Sequence, residues 1–528
     1  MVARFPDTEE VISSSLVPPT KEKAPAAAGA FTVVAMGSEI GQRHFTREER
    51  QAYRRKVQAC LDVLEEMLHA GAFTSDAHRT GLEIELNLTD ADHQPSFANA
   101  EVLEAIANPE FQTELARFNI EFNVPPGDIA GRELLDLEDS LRASLNEAGR
   151  RSAEAGHGIV MTGILPTVRL EHFSQPWMSD NTRFEALNDA MLTARGEDIH
   201  LDIEGPTGEH LDAHIGSLAP ESVCTSTQLH LLVAPRDFAR GWNAAQVLAG
   251  PQLALGANSP YAFGHRLEAE SRIAVFTQAA DTRPIEYANQ GVRPRVFFGE
   301  RWITSIFDLF EENSRWFPAL LPETTEEDPR AVFAAGGTPE LAELKLHNGT
   351  IYRWNRPVYD VVANKAHVRL ENRVLPAGPT IADTVANAAF YYGALKRMAR
   401  DDRPVWSRMA FRSAHDNFDA AARHGIDADL FWPGLGETPA SEPVLRHILP
   451  LAQQGLEEWG TDGAAIDRYL GIIEGRCLAG VNGAEWQVRC VQAFEARGMR
   501  RPEALAAMTA AYAERMHTNE PVHTWDLP

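Results

Sequence analysis

Several short stretches alternate strictly between apolar and polar residues. In Gly81-Leu82-Glu83-Ile84-Glu85-Leu86-Asn87-Leu88 the leucines and isoleucine face one way, and Glu83, Glu85 and Asn87 the other. A period of two over eight residues predicts a half-buried strand. Arg117 to Val124 repeats the pattern, with Phe118, Ile120, Phe122 and Val124 opposite Asn119, Glu121 and Asn123, and Pro125-Pro126-Gly127 is expected to end it. Thr227 to Val233 alternates Gln228 and His230 with leucines, and His367 to Val374 carries His367, Arg369, Glu371 and Arg373 on its polar side. Gly158 to Leu165 and Glu343 to His347 read as further strands, the latter followed by a hairpin-type turn at Asn348-Gly349.

Helical periods lie between and after these strands. Thr46-Arg47-Glu48-Glu49 is a capping box that opens a helix striped by Tyr53, Val57, Leu61, Leu64 and Leu68 and stopped by Gly71. Helices are expected at about 133–155 and 237–256, and the pattern is helical from 381 almost to the end. Residues 171–220 read as mixed helix and loop, 322–340 as a surface loop, and 1–37, rich in Ser, Pro and Ala, as a disordered tail. The expected architecture is α+β: a curved, mainly antiparallel sheet with helices on its apolar side. The expected division is a tail over 1–37, a catalytic core over 38–400, and a helical C-terminal region over 401–528 packed on that core.

Composition narrows the function. A net charge of −26 over 528 residues argues against nucleic-acid binding, which needs a basic footprint, and against anionic membranes. Cys60, Cys224, Cys477 and Cys490 form no C-x-x-C pair. No apolar run is long enough to span a bilayer and the acidic first ten residues are unlike a secretory signal, so a soluble cytoplasmic protein is expected.

The polar faces of the strands carry the chemistry. Glu83 and Glu85 sit two apart on one strand face, ~6.5–7 Å from one another, and would repel without a cation between them. Glu121, with Glu114 seven residues earlier, His230 and Glu371 extend this acidic set, and Arg272 and Arg373 are the arginines suited to clamping phosphate or carboxylate oxygens. Hard divalent ions on carboxylates, with arginines beside them, suit phosphoryl transfer. Neither a P-loop motif nor H-E-x-x-H is present.

In sequence order, Gly81-Leu82-Glu83-Ile84-Glu85, Phe118-Asn119-Ile120-Glu121-Phe122-Asn123, Cys224-Thr225-Ser226-Thr227-Gln228-Leu229-His230, Asn258-Ser259-Pro260, Ser271-Arg272-Ile273 and Leu370-Glu371-Asn372-Arg373 resemble the glutamate–cysteine ligase family, in its bacterial and plant-like branch, within the glutamine synthetase-like superfamily. The resemblance implies a funnel-shaped active site lined by a curved sheet, binding ATP and Mg²⁺ (or Mn²⁺). It implies phosphorylation of the γ-carboxylate of glutamate, then attack by the amine of cysteine on the acyl phosphate. Glu83, Glu85, Glu121, His230, Glu371 and Glu114 fall on the metal-ligand positions. Arg373 and Arg272 fall on the catalytic and phosphate-contacting positions, with Gln228 and Asn258 assigned beside them to the nucleotide and substrate. Many bacterial relatives have H-x-H where this chain has Gln228-Leu229-His230, which leaves the role of position 228 open. The partners implied are small molecules: glutamate, with cysteine or another amine. Oligomeric state is left open. Two alternatives stand beside this reading: a γ-glutamyl ligase of the same mechanism using another amine, and a catalytically silent nucleotide-binding scaffold.

Overall fold

The computed structural model describes residues 41, 43–74 and 79–528, so the tail expected over 1–37 lies outside the described residues. The centre is a seven-stranded sheet, numbered here along the chain: β1 Thr80–Thr89, β2 Phe111–Thr113, β3 Asn119–Gly127, β4 Gly158–Val160, β5 Ser226–Leu232, β6 Asn355–Val362 and β7 Lys365–Pro376. The spatial order is β6-β7-β5-β1-β3-β2, with β4 also on β1, and every pairing is antiparallel. The sheet curls into a half-barrel.

All ten residues of β1 are buried, so neither of its faces is wet. Under the apolar face run the helices Pro235–Gly256 and Ile381–Ala399, both buried on nearly all sides, as helices apolar all round must be. Tyr392 on the second directs its hydroxyl to the carbonyls of Gly81 and His230, fixing the helix beneath β1 and β5. The capping box at Thr46 and the left-handed Gly71 bound the first helix, Arg47–Ala70, as its sequence predicts. No helix among the described residues is long and apolar enough to cross a membrane.

Five expectations are corrected. Glu343 to His347 is a helix, Ala342–Asn348, not a strand. It is buried on several sides, and a short buried helix has no exposed face to break a chance alternation. The strand at Gly158 stops at Val160, because side chains take over as partners: Asn87 and Thr225 donate to the Thr162 carbonyl, and Tyr512 to that of Met161. β3 continues through Pro125 and Pro126, which lie past its last β2 partner, Phe122, where a missing N–H costs no ladder bond on that side. The loop over 322–340 contains a helix, Pro329–Ala334, capped by the Asp328 side chain. Three hairpins lie where the sequence predicts none: Ile199–Glu204 with His210–Ile215, Tyr261–Ala262 with His265–Arg266, and Asp429–Trp432 with Gly436–Pro439 inside the helical C-terminal region.

Candidate active site

Register decides which side chains meet. Glu85 pairs with Glu121 across β1 and β3, Glu83 with Gln228 across β1 and β5, Glu371 with His230 across β5 and β7, and Arg356 with Glu371 across β6 and β7. Directly opposed residues share a face, so all of these groups stand on the concave side. A register slip in β7 between Asn372 and Leu375 follows Glu371 and falls at Arg373.

Glu85, Glu114 and Glu121 converge, each with one oxygen within 4.8 Å of the others. Glu85 accepts from the Ser226 N–H at 2.5 Å and from Gln228 Nε2 at 3.0 Å. Glu121 Oε1 accepts from Asn123 at 2.7 Å, while its buried Oε2 has no hydrogen-bond partner among the described residues. Burial, then the neighbouring Glu114 carboxylate, pushes the Glu85 carboxyl up to about 7. Burial and the charges of Glu83, Glu114 and Glu85 push Glu121 well above the usual range, and burial raises Glu114 also. Glu221 is a fourth acid in this wall, pushed up to about 8 by burial and then by Glu114 and Glu85. Crowded, desolvated carboxyls with an orphaned oxygen fit a hard divalent cation, which supplies the missing charge and takes oxygen ligands.

The remaining predicted ligands are engaged differently. His230 Nε2 lies 3.1 Å from Glu83 Oε1, and its Nδ1 accepts from Arg369 at 3.2 Å. Glu371 is gripped by Arg356, at 2.9 and 3.0 Å, and by Arg373 at 2.6 Å. Burial alone would raise the Glu371 carboxyl, but these guanidinium groups outweigh it and hold it well below the usual carboxylate range.

Arg373 lines the cavity and also donates to Gln228 Oε1 at 2.6 Å. Gln228 therefore links the acidic cluster to this guanidinium through its two ends. Arg272 lines the same cavity, but it donates to Glu270 at 2.9 Å and to the carbonyls of Val374 and Arg373, so it braces the strand that carries Arg373. Asn258 lies outside the cavity wall. Its amide donates to the Ala377 carbonyl and Tyr512 hydroxyl and accepts from Gln487, which gives it a structural task.

The cavity holds about 220 Å³. One side is the acidic wall; another is aromatic, with Phe276 edge-on to Tyr352 at 5.2 Å and tilted against Trp354 at 5.9 Å. Sequence reasoning did not single out Glu221, Arg183 in the cavity wall, or Arg369. The partner of Arg356 is set by the β6–β7 register, which the sequence does not show.

Glutamate-cysteine ligase family 2 (GCS2) matches residues 79–510 of the chain. Among solved structures, the fold is similar to that of glutamate–cysteine ligase from Francisella tularensis in complex with AMP, at 12% identity over 86% of this chain and 91% of that one, with a TM-score of 0.51. It is also similar to a bifunctional glutathione synthetase from Pasteurella multocida, at 13% identity over 87% of this chain and 55% of that one, with a TM-score of 0.46. No curated protein matches the chain.

Proposed function

We propose, from the premise that this chain belongs to glutamate-cysteine ligase family 2, that it is an ATP-dependent carboxylate–amine ligase joining the γ-carboxylate of L-glutamate to L-cysteine. The observation that carries this reading is the convergence of Glu85, Glu114 and Glu121 beside Arg373 in one cavity. In the reaction, a γ-carboxylate oxygen of glutamate attacks the γ-phosphorus of ATP and ADP leaves. The amine nitrogen then attacks the carbonyl carbon of the acyl phosphate; phosphate leaves and the nitrogen loses a proton.

Glu85, Glu114 and Glu121 would hold Mg²⁺ or Mn²⁺, with Glu83, His230 and Glu371 further along the same concave face. When bound, such an ion neutralises phosphate charge and orients the transferring group. Arg373 is the catalytic arginine, a fixed positive charge beside the acidic wall for phosphate oxygens. Arg272 positions it by holding the backbone carbonyls of Arg373 and Val374. Gln228 holds Glu85 and Arg373 at a constant separation.

A second reading changes only the amine. The aromatic wall of Phe276, Tyr352 and Trp354 also suits an acceptor with an apolar side chain. The test is ADP release by purified protein with Mg²⁺-ATP and glutamate against a panel of amino acids and amines. The expected result is ADP that depends on both glutamate and cysteine, with γ-glutamylcysteine by mass. Turnover with an apolar amine instead would favour the second reading. Absence of any nucleotide binding would overturn both.

A further inference from the structure

The hairpin of Ile199–Glu204 and His210–Ile215 carries a different set of donor groups, and none of its residues lines the active-site cavity. Alternation buries Ile199, Leu201, Ile203 and Leu211, and puts His200, Asp202, His210, Asp212 and His214 on the outer face. His200 pairs directly with His214, and Asp202 with Asp212. The His200 and His214 rings stack with centroids 4.3 Å apart and 5° between their planes. His200 Nε2 lies 2.9 Å from Asp212 Oδ1, and one donor atom from each of His200, Asp212 and His214 lies within 4.8 Å of the others.

Ordinary exposed ion pairs would explain the His–Asp contacts, but not the stacked histidines. The register that opposes His200 and His214 sets two imidazoles side by side, each with ring nitrogens that can serve as ligand atoms. The ladder fixes both rings on opposed strands, which lowers the ordering cost of bringing them to one ion. Two imidazoles with one carboxylate match the donor preference of Zn²⁺ and its neighbours, unlike the all-oxygen set in the cavity. We propose that His200, Asp212 and His214 form a surface site for a borderline divalent cation of the Zn²⁺, Co²⁺ and Ni²⁺ class. The hairpin is tied to the helix Ser271–Ala279 by the Gln278 side-chain amide, which accepts from the Asp202 N–H at 2.8 Å and donates to the Asp202 carbonyl at 3.0 Å. A bound ion would therefore stiffen a hairpin that is tied to the helix supplying Arg272 and Phe276 to the cavity.

The test is a Co²⁺ titration of tag-free, full-length protein held in millimolar Mg²⁺, followed by visible absorption, with Zn²⁺ as displacing ion. One Co²⁺ per chain is expected, at micromolar affinity, with a spectrum showing nitrogen ligation. His214→Ala and Asp212→Asn should each weaken it by ~10-fold or more, with circular dichroism unchanged. Glu121→Gln should leave the Co²⁺ spectrum unaltered, which separates this site from the acidic cluster. No Co²⁺ bound in the presence of Mg²⁺, or binding indifferent to both hairpin substitutions, would overturn the proposal. On wild-type protein alone, paramagnetic broadening confined to histidines other than His200 and His214 would do the same.

Discussion

The acids of the candidate site are among the groups least comfortable in the fold. Glu85 and Glu221 have folded-state carboxyls pushed up to about 7 and about 8, from an ordinary value of 4.5. A raised carboxyl binds its proton more tightly when folded, so its stabilising contribution is complete below pH 4.5 and is lost as pH rises through the folded values. Metal-free protein should thus lose on the order of 1–3 kcal/mol of stability between about pH 6.5 and pH 8.5, above the range in which the buried His347 and His367, held down to about 4, add stability as pH rises. Urea unfolding in EDTA across that range measures it, and millimolar Mg²⁺ should flatten the slope. Glu121→Gln removes one of the crowded charges at nearly constant volume, and should flatten the slope in EDTA while lowering ADP turnover at least ~10²-fold. A flat profile for the wild type in EDTA would refute the crowding; normal turnover of the variant would remove Glu121 from the ligands. Glu85 and Glu121 could be picked out from sequence because acids on the polar side of a strand stand out against alternating leucines and isoleucines. Glu221 could not, because it sits on a four-residue helical turn in an irregular stretch and reaches the cavity only through the tertiary fold.

At the scale of elements, β7 is the busiest strand, and its work depends on a neighbour. Arg356 stands opposite Glu371 and makes two of its hydrogen bonds, so β6 supplies the counter-charge for a carboxylate that is wholly buried. Arg356→Met should destabilise the protein by ~3–5 kcal/mol, because it removes one of the two guanidinium groups that balance the buried Glu371 carboxylate. Replacing both, as Arg356→Met with Glu371→Leu, should recover much of that stability without recovering turnover. Denaturant unfolding paired with the ADP assay separates the two effects, and a double variant as unstable as the single one would refute the charge argument. Strands bordered by strict alternation were legible, since one face meets helices and the other a polar cavity. The hairpin at 199–215 was legible in principle: Ile199, Leu201 and Ile203 alternate with His200, Asp202 and Glu204, and Pro206-Thr207-Gly208 supplies the turn. The helix Ala342–Asn348 was not, because its polar residues are buried through specific partners, such as Thr325 donating to Glu343.

At the scale of the whole molecule, the helices beyond residue 400 reach almost to the sheet. Ile381–Ala399 lies between the sheet and the helix Leu449–Trp459, and Arg476 from a further helix donates to Asp383 and Asn387 on it, at 2.8 and 2.7 Å. Tyr512, near the end of the chain, donates to the Met161 carbonyl at 2.7 Å, just past β4. We propose that residues 401–528 fold with the core as one cooperative body, and two glycines test it. Gly393 and Gly455 let their helices approach so closely that a Cβ on Gly455 would collide with the Gly393 carbonyl, and a Cβ on Gly393 with that of Ala452. Gly455→Ala should cost ~2–3 kcal/mol or more, by forcing apart the layer on which β1 and β5 rest. Gly471→Ala is the control: it lies in the helix Gly463–Ala479, is exposed, and has nothing within 4 Å of a built Cβ. That substitution should stabilise by ~0.5–1 kcal/mol through helix propensity alone. If the region is part of one body, Gly455→Ala lowers the single unfolding transition seen by calorimetry and the temperature at which ADP release is lost, by equal amounts. A separate early transition with ligase activity intact would show instead that the C-terminal helices melt on their own.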